Sequence, residues 1–162
     1  QRQMCIRDRK TYRLVRGEVP EEDYTLPIGQ ADIKRIGGTI TTVSYGLMLH
    51  YCLEAAEQIS QEGIDVEVVD LRTLKPLDTK TILESVRKTG RLLIVHEDNL
   101  TGGVGAEVAA VAAAEAFDYL DATISRLCGP DVPTMPFAET LENAYMPDTA
   151  KVSEALRNLA AY

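Results

Sequence analysis

The run from Arg91 to Phe117 constrains this chain more than any other. Leu92-Leu93-Ile94-Val95-His96 is almost wholly apolar, without alternation. That pattern fits a parallel strand covered on both faces. Glu97 to Gly105 follows as a polar, glycine-rich turn, and Ala106 to Phe117 then reads as a helix whose only polar residues are Glu107 and Glu115. Strand, glycine turn and helix make half of an α/β unit, and the carboxyl ends of such strands are where ligands and partners usually sit.

The glycines admit two readings. They could let a phosphate approach the backbone at a helix N-terminus, or they could allow positive φ and tight strand–helix packing. The residues favour the second. In the dinucleotide fingerprint a third glycine should follow Gly103 and Gly105, but Val108 stands there. No lysine accompanies the glycines, and Glu97 and Asp98 would repel phosphate.

The helix is ringed by small side chains, with Val104, Val108 and Val111 on one side. An exposed helix should carry a polar face. This one is therefore either sandwiched within the domain or packed on another chain, and the second option makes Ala106, Ala109, Ala110 and Ala113 candidate interface residues.

The rest of the chain repeats the unit. Thr39–Tyr45 is rich in β-branched residues and reads as a strand. Leu47–Glu62 reads as a helix with Leu49, Cys52, Leu53, Ala56 and Ile59 on its inward stripe. His50 falls on the solvated stripe with Glu54, Glu57 and Gln61, and Gly63 stops the helix. Asp65–Leu71 is a second strand. Asp78 can N-cap a helix over Thr79–Thr89, which Gly90 closes. The alternation predicts a parallel sheet with right-handed crossovers and helices on both faces. Ile124–Cys128 adds a fourth parallel strand, the prolines of Gly129–Phe137 keep that segment extended, and Thr149–Ala161 forms a last helix with Val152, Ala155, Leu156 and Leu159 turned inward.

The N-terminal residues read differently. Gln1–Arg9 is polar and aperiodic and is expected to be a non-native leader. Its three Arg and one Asp carry a net +2, so without it the charge moves from −8 to −10. Lys10–Val19 could form a strand around Tyr12–Val15, and Pro20–Ile28 reads as a linker. The expected division is a leader at 1–9, a linker from a preceding domain at 10–38 and one α/β domain at 39–162.

With 162 residues, 45% of them apolar and 26% charged, the chain suits a single globular domain with a sizeable core. A net charge of −8 argues against nucleic acid and anionic membranes as partners. No apolar run is long enough to cross a bilayer. Cys5, Cys52 and Cys128 are odd in number and widely spaced, which points to a reducing compartment, expected to be the cytoplasm. The one histidine–acid pair at a strand end is His96-Glu97. It reads either as an acid/base pair or as a histidine fixed by a carboxylate beside an interface. No metal-ligand or nucleophile motif accompanies it.

Several longer runs carry a family resemblance: Gly17–Tyr24, Val69–Asp78, Lys88–Arg91, His96-Glu97 with Thr101–Glu107, and Gly129–Pro133. Across Tyr12–Tyr162 the chain resembles the C-terminal half of the β subunit of the thiamine diphosphate-dependent component of 2-oxo acid dehydrogenase complexes. The resemblance implies a three-layer α/β/α sandwich with a mostly parallel sheet, the transketolase C-terminal domain fold. It implies an oxidoreductase that decarboxylates a 2-oxo acid and acylates lipoyl groups. Such an enzyme is a heterotetramer, with the α subunit, a second β subunit and a dihydrolipoamide acyltransferase core as partners.

In that family, thiamine diphosphate with magnesium sits between the α subunit and the N-terminal domain of the β subunit. No catalytic, cofactor-binding or metal residue is therefore expected here, and the fragment alone is expected to be inactive. The family's C-terminal domain helps dimerise β subunits and docks the acyltransferase core's small basic domain. Asp121, in a Leu-Asp-Ala segment, and the C-terminal carboxylate of Tyr162 match its docking groups. The run Leu120–Asp131 looks most like the branched-chain enzymes. A stand-alone nucleotide- or anion-binding module using Thr101–Gly105 is the alternative.

Overall fold

The computed structural model describes residues 16–18, 20–133, 136 and 138–162. The expectations for Gln1–Arg9 and for a strand around Tyr12–Val15 lie outside these residues. Among the described residues five strands form one sheet: β1 (Asp32–Arg35), β2 (Ile40–Ser44), β3 (Val66–Asp70), β4 (Leu92–Asn99) and β5 (Ser125–Gly129), in the order β1-β3-β2-β4-β5. β2, β3, β4 and β5 run parallel, and only β1 is antiparallel, against β3. Between the strands lie α1 (Leu47–Ser60), α2 (Thr79–Thr89) and α3 (Val104–Glu115), and after β5 come α4 (Glu139–Tyr145) and α5 (Thr149–Ala160).

Alternation along each strand sorts the core into two layers. Leu93 and Val95 of β4 join Val66 and Val68 of β3 beneath α1 and α5, with Cys52, Ala56, Ile59, Val152 and Leu156. Leu92 and Ile94 join Val43 and Val69 beneath α2 and α3, with Ile82, Val86, Val108 and Ala112. The connection through α1 steps from β2 to one side and that through α2 returns past it, so right-handed crossovers put the two helices on opposite faces. This is the expected α/β/α sandwich.

Helix ends follow local chemistry. Asp78 caps α2 by accepting from the Thr81 amide at 3.1 Å, and its second oxygen accepts from Ala31 N at 2.9 Å. Gly90 closes α2 at φ +69°, where a side chain would be strained. Asp148 caps α5 through the Lys151 amide at 2.8 Å.

The structure differs from the sequence reading along β1, β4 and α3, and adds the helix α4. β1 lies inside the 10–38 segment expected to be linker, so the sheet begins seven residues before Thr39. β1 spans four residues, DIKR, with three charges, and so carries no apolar alternation to read. Such charge is how an edge strand resists further pairing. β4 runs on to Asn99 instead of stopping at His96, because Asn99 pairs with Gly129 of β5 beyond a bulge. α3 occupies Val104–Glu115 rather than Ala106–Phe117, and a 3-10 turn takes Phe117–Tyr119.

Candidate functional site

In open α/β sheets, ligands enter the crevice where the strand order reverses. Here that point lies between the carboxyl ends of β2 and β4, and two side chains fill it. His96 of β4 is fully buried, and its ring stacks on Tyr45, just past β2, with centroids 6.4 Å apart and planes 14° apart. The Gly105 N–H donates to His96 Nε2 at 3.2 Å, and Cys128 Sγ of β5 lies 3.1 Å from the same nitrogen. A ring nitrogen that accepts from a backbone amide carries no proton, so the tautomer is Nδ1–H.

Two glycines of the turn, Gly103 and Gly105, make room for this ring, whereas Gly102 takes a positive φ of 76°. A Cβ on Gly105 would collide with His96 Nε2 and sit 2.7 Å from Cδ2. One on Gly103 would collide with the Asn99 carbonyl and sit 2.6 Å from His96 Cε1. The imidazole occupies the space, and the amide, that a phosphate would need at the start of α3. Of the two readings of the glycines, close packing is the one observed.

Burial sets the electrostatics of the pair. Burial holds the His96 pKa below its ordinary value and Arg126 adds to this, while Asp98 opposes it. Burial pushes the Cys128 thiol up to about 11. A neutral histidine facing a protonated thiol is not an activated nucleophile. Glu97, the next residue on β4, is half-buried. The contacts that hold His96 are those with Gly105 and Cys128. Among the described residues, no group of three or more His, Cys, Asp or Glu is placed to hold a metal ion. His50, expected on the solvated stripe of α1, is half-buried.

A second feature lies at the β5 edge. An open groove of about 740 Å³ is lined by Ala113, Phe117, Asp118, Asp121, Ile124 and Tyr162, among others. Asp121 and Tyr162 are 41 positions apart in sequence and share this groove. Phe117, Tyr119 and Tyr162 are exposed by 71%, 53% and 73%, large apolar surfaces left in water beside the groove. Of the alanine candidates, Ala113 lines the groove and Ala110 is exposed, whereas Ala106 and Ala109 are half-buried. α3 turns Gly105, Val108 and Ala112 to the core and leaves its other face uncovered. The sequence reading takes Phe117 as the helix end and gives Asp118 and Tyr119 no role, so all three are missed as residues in or beside the groove. Their signal was the aromatic cluster just after an alanine run.

A mostly parallel sheet lies between two pairs of helices, its switch-point crevice is filled by side chains, and an acidic, aromatic groove runs along one edge: together these define an α/β/α sandwich domain. The family model "Transketolase, C-terminal domain" matches residues 29–152, and the chain belongs to that family. It is 49% identical over 154 residues to the 2-oxoisovalerate dehydrogenase subunit beta of Bacillus subtilis (strain 168), covering 95% of this chain and 47% of that relative. It is 47% identical over 145 residues to the pyruvate dehydrogenase E1 component subunit beta of Rickettsia felis, covering 90% and 44%. A solved structure described as a split gene transketolase, inactive beta4 tetramer, shares 30% identity at a TM-score of 0.74, covering 90% of this chain and 46% of that one. The chain thus spans about half the length of the relatives it matches.

Proposed function

We propose that this chain works as the C-terminal domain of a 2-oxo acid dehydrogenase β subunit, where it supports subunit assembly and docks the acyltransferase core. The observation that carries the reading is the convergence of Asp121, Tyr162 and Ala113 on one groove flanked by exposed aromatic rings. The partner at that groove is a small basic domain. Aromatic surface supplies the buried centre of such an interface, and Asp118 and Asp121 supply the charge that steers and orients a cation.

The residues described here do not fit thiamine diphosphate with its magnesium. The turn that could cradle a diphosphate is filled by His96, and no acidic cluster stands ready for a cation. No step of decarboxylation is assigned to this domain, and in this reading the cofactor is held by the α subunit and the other half of the β subunit. Branched-chain 2-oxo acids are the proposed substrates of the whole enzyme. The support is the Leu120–Asp131 run and the 2-oxoisovalerate dehydrogenase relative. Reconstitution with an α subunit and a complete β subunit tests this by comparing kcat/KM for a branched 2-oxo acid and for pyruvate, and a preference for pyruvate overturns it.

The docking reading is tested by surface plasmon resonance of the chain against a recombinant basic docking domain from such an acyltransferase. Asp121→Asn is expected to weaken binding by roughly tenfold or more and to flatten its salt dependence, with folding unchanged. Equal affinity and equal salt slope would remove Asp121 from the site.

A further inference from the structure

We infer that Gly90, at the C-terminus of α2, is a positioning residue for the docking groove, setting where the Asp121 carboxylate stands. The inference rests on the docking reading above and adds to it a residue outside the groove lining.

Two contacts join the residues. The Asp121 N–H donates to the Gly90 carbonyl at 2.7 Å. Asp121 also folds its side chain over the hydrogen face of Gly90. A Cβ there would collide with Asp121 Oδ2 and sit 2.8 Å from its Cγ and 3.3 Å from its Cβ. Gly90 is buried, whereas Asp121 is exposed, so the acid is seated on a rigid floor while its charge still faces solvent. Arg87, in the last turn of α2, ties the same segment a second way. It donates to the Glu115 carbonyl at 3.1 Å and lies over the Tyr119 ring, 5.6 Å from its centroid.

The position is not where a carboxylate would settle by itself. A helix C-terminus carries partial negative charge. Arg87 and Lys88 offset that field in the last turn of α2. A loop acid held against a helix end by a backbone hydrogen bond and a fitted surface has lost its freedom before any partner arrives. Such preorganisation strengthens binding by lowering the ordering cost.

Gly63 supplies the control. It also has positive φ, at +84°, follows a helix, and has nothing within 4 Å of a built Cβ. Alanine at Gly63 therefore imposes comparable backbone strain without touching Asp121. The experiment measures, on the full chain, thermal stability and surface plasmon resonance with the same recombinant basic docking domain at two salt concentrations. Gly90→Ala, and Gly90→Asn which tolerates positive φ but still carries a Cβ, are expected to weaken binding by about tenfold and flatten the salt slope, as Asp121→Asn does. Gly63→Ala is expected to lower the Tm and leave affinity and slope as in wild type. Unchanged binding by Asp121→Asn overturns the docking reading and this inference with it. Loss with Asp121→Asn but wild-type binding by both Gly90 variants overturns the inference alone. Equal loss of binding with Gly63→Ala overturns it too, by reducing it to general destabilisation.

Discussion

The Gly105 amide donates to His96 Nε2 at 3.2 Å, and no side chain fits at Gly105 without entering the ring. Strand β4 and helix α3 are thereby locked at their junction. Gly105→Ala is expected to destabilise the fold by about 1–3 kcal/mol, the scale of overpacking in a filled core. Urea denaturation measures it.

The same histidine makes stability depend on pH. Its folded pKa lies below its ordinary value because burial disfavours the charged ring. The unfolded chain therefore takes up a proton that the folded chain refuses. The contribution is fully present above the unfolded pKa of about 6.5 and is lost as pH falls from there through the lower folded pKa. Thermal melts between about pH 7.5 and about pH 5 should show the Tm of the wild type falling more steeply than that of His96→Gln. Parallel curves would mean that His96 does not titrate with unfolding.

Glu67 is a carboxylate buried in the sheet, 1% exposed. It accepts from Ser85 Oγ at 2.5 Å and pairs with Lys88, whose side chain is 44% exposed. Lys88→Met removes the cation that, among the described residues, pairs with this buried carboxylate. The expected cost is about 2 kcal/mol, below that of a fully buried pair because Lys88 reaches solvent. The double variant Glu67→Leu with Lys88→Met should recover most of it, since the charge that needed a partner is gone. Denaturant midpoints of the three variants decide the matter.

Ala110 and Ala113 stand on the uncovered face of α3. Both positions are exposed among the described residues, so leucine at either should change stability by less than about 0.5 kcal/mol. If that face meets another chain, sedimentation should show weakened association with the fold retained. Loss of the fold in both variants, with a monomer throughout, would make the helix merely internal.

The imidazole that fills the glycine turn also bears on cofactor binding. Calorimetry of the chain with thiamine diphosphate and magnesium, and separately with a nucleotide, is expected to show no saturable heat. Saturable binding of either would restore the turn as an anion site.

Local pattern determined much of this protein. The unbroken apolar run at Leu92–Val95, the β-branched run before Gly46 and the helical stripes around Cys52 and Leu156 each report burial in the residues themselves, so the parallel α/β/α architecture was legible. So were the Asp78 cap and the Gly90 stop, because capping is a contact among near neighbours in sequence. What only the tertiary structure decided are relations between distant residues. The reason for glycine at 105 is a ring nine positions earlier, and the reason for glycine at 90 includes a carboxylate 31 positions later. β1 was hidden because a four-residue edge strand is stabilised by its pairing with β3, not by its own pattern. The groove joining Ala113, Asp121 and Tyr162 exists because the end of α3, the approach to β5 and the residues after α5 meet at one sheet edge. A single sequence carries the propensity of each segment, but the distances between segments arise only when the layers pack.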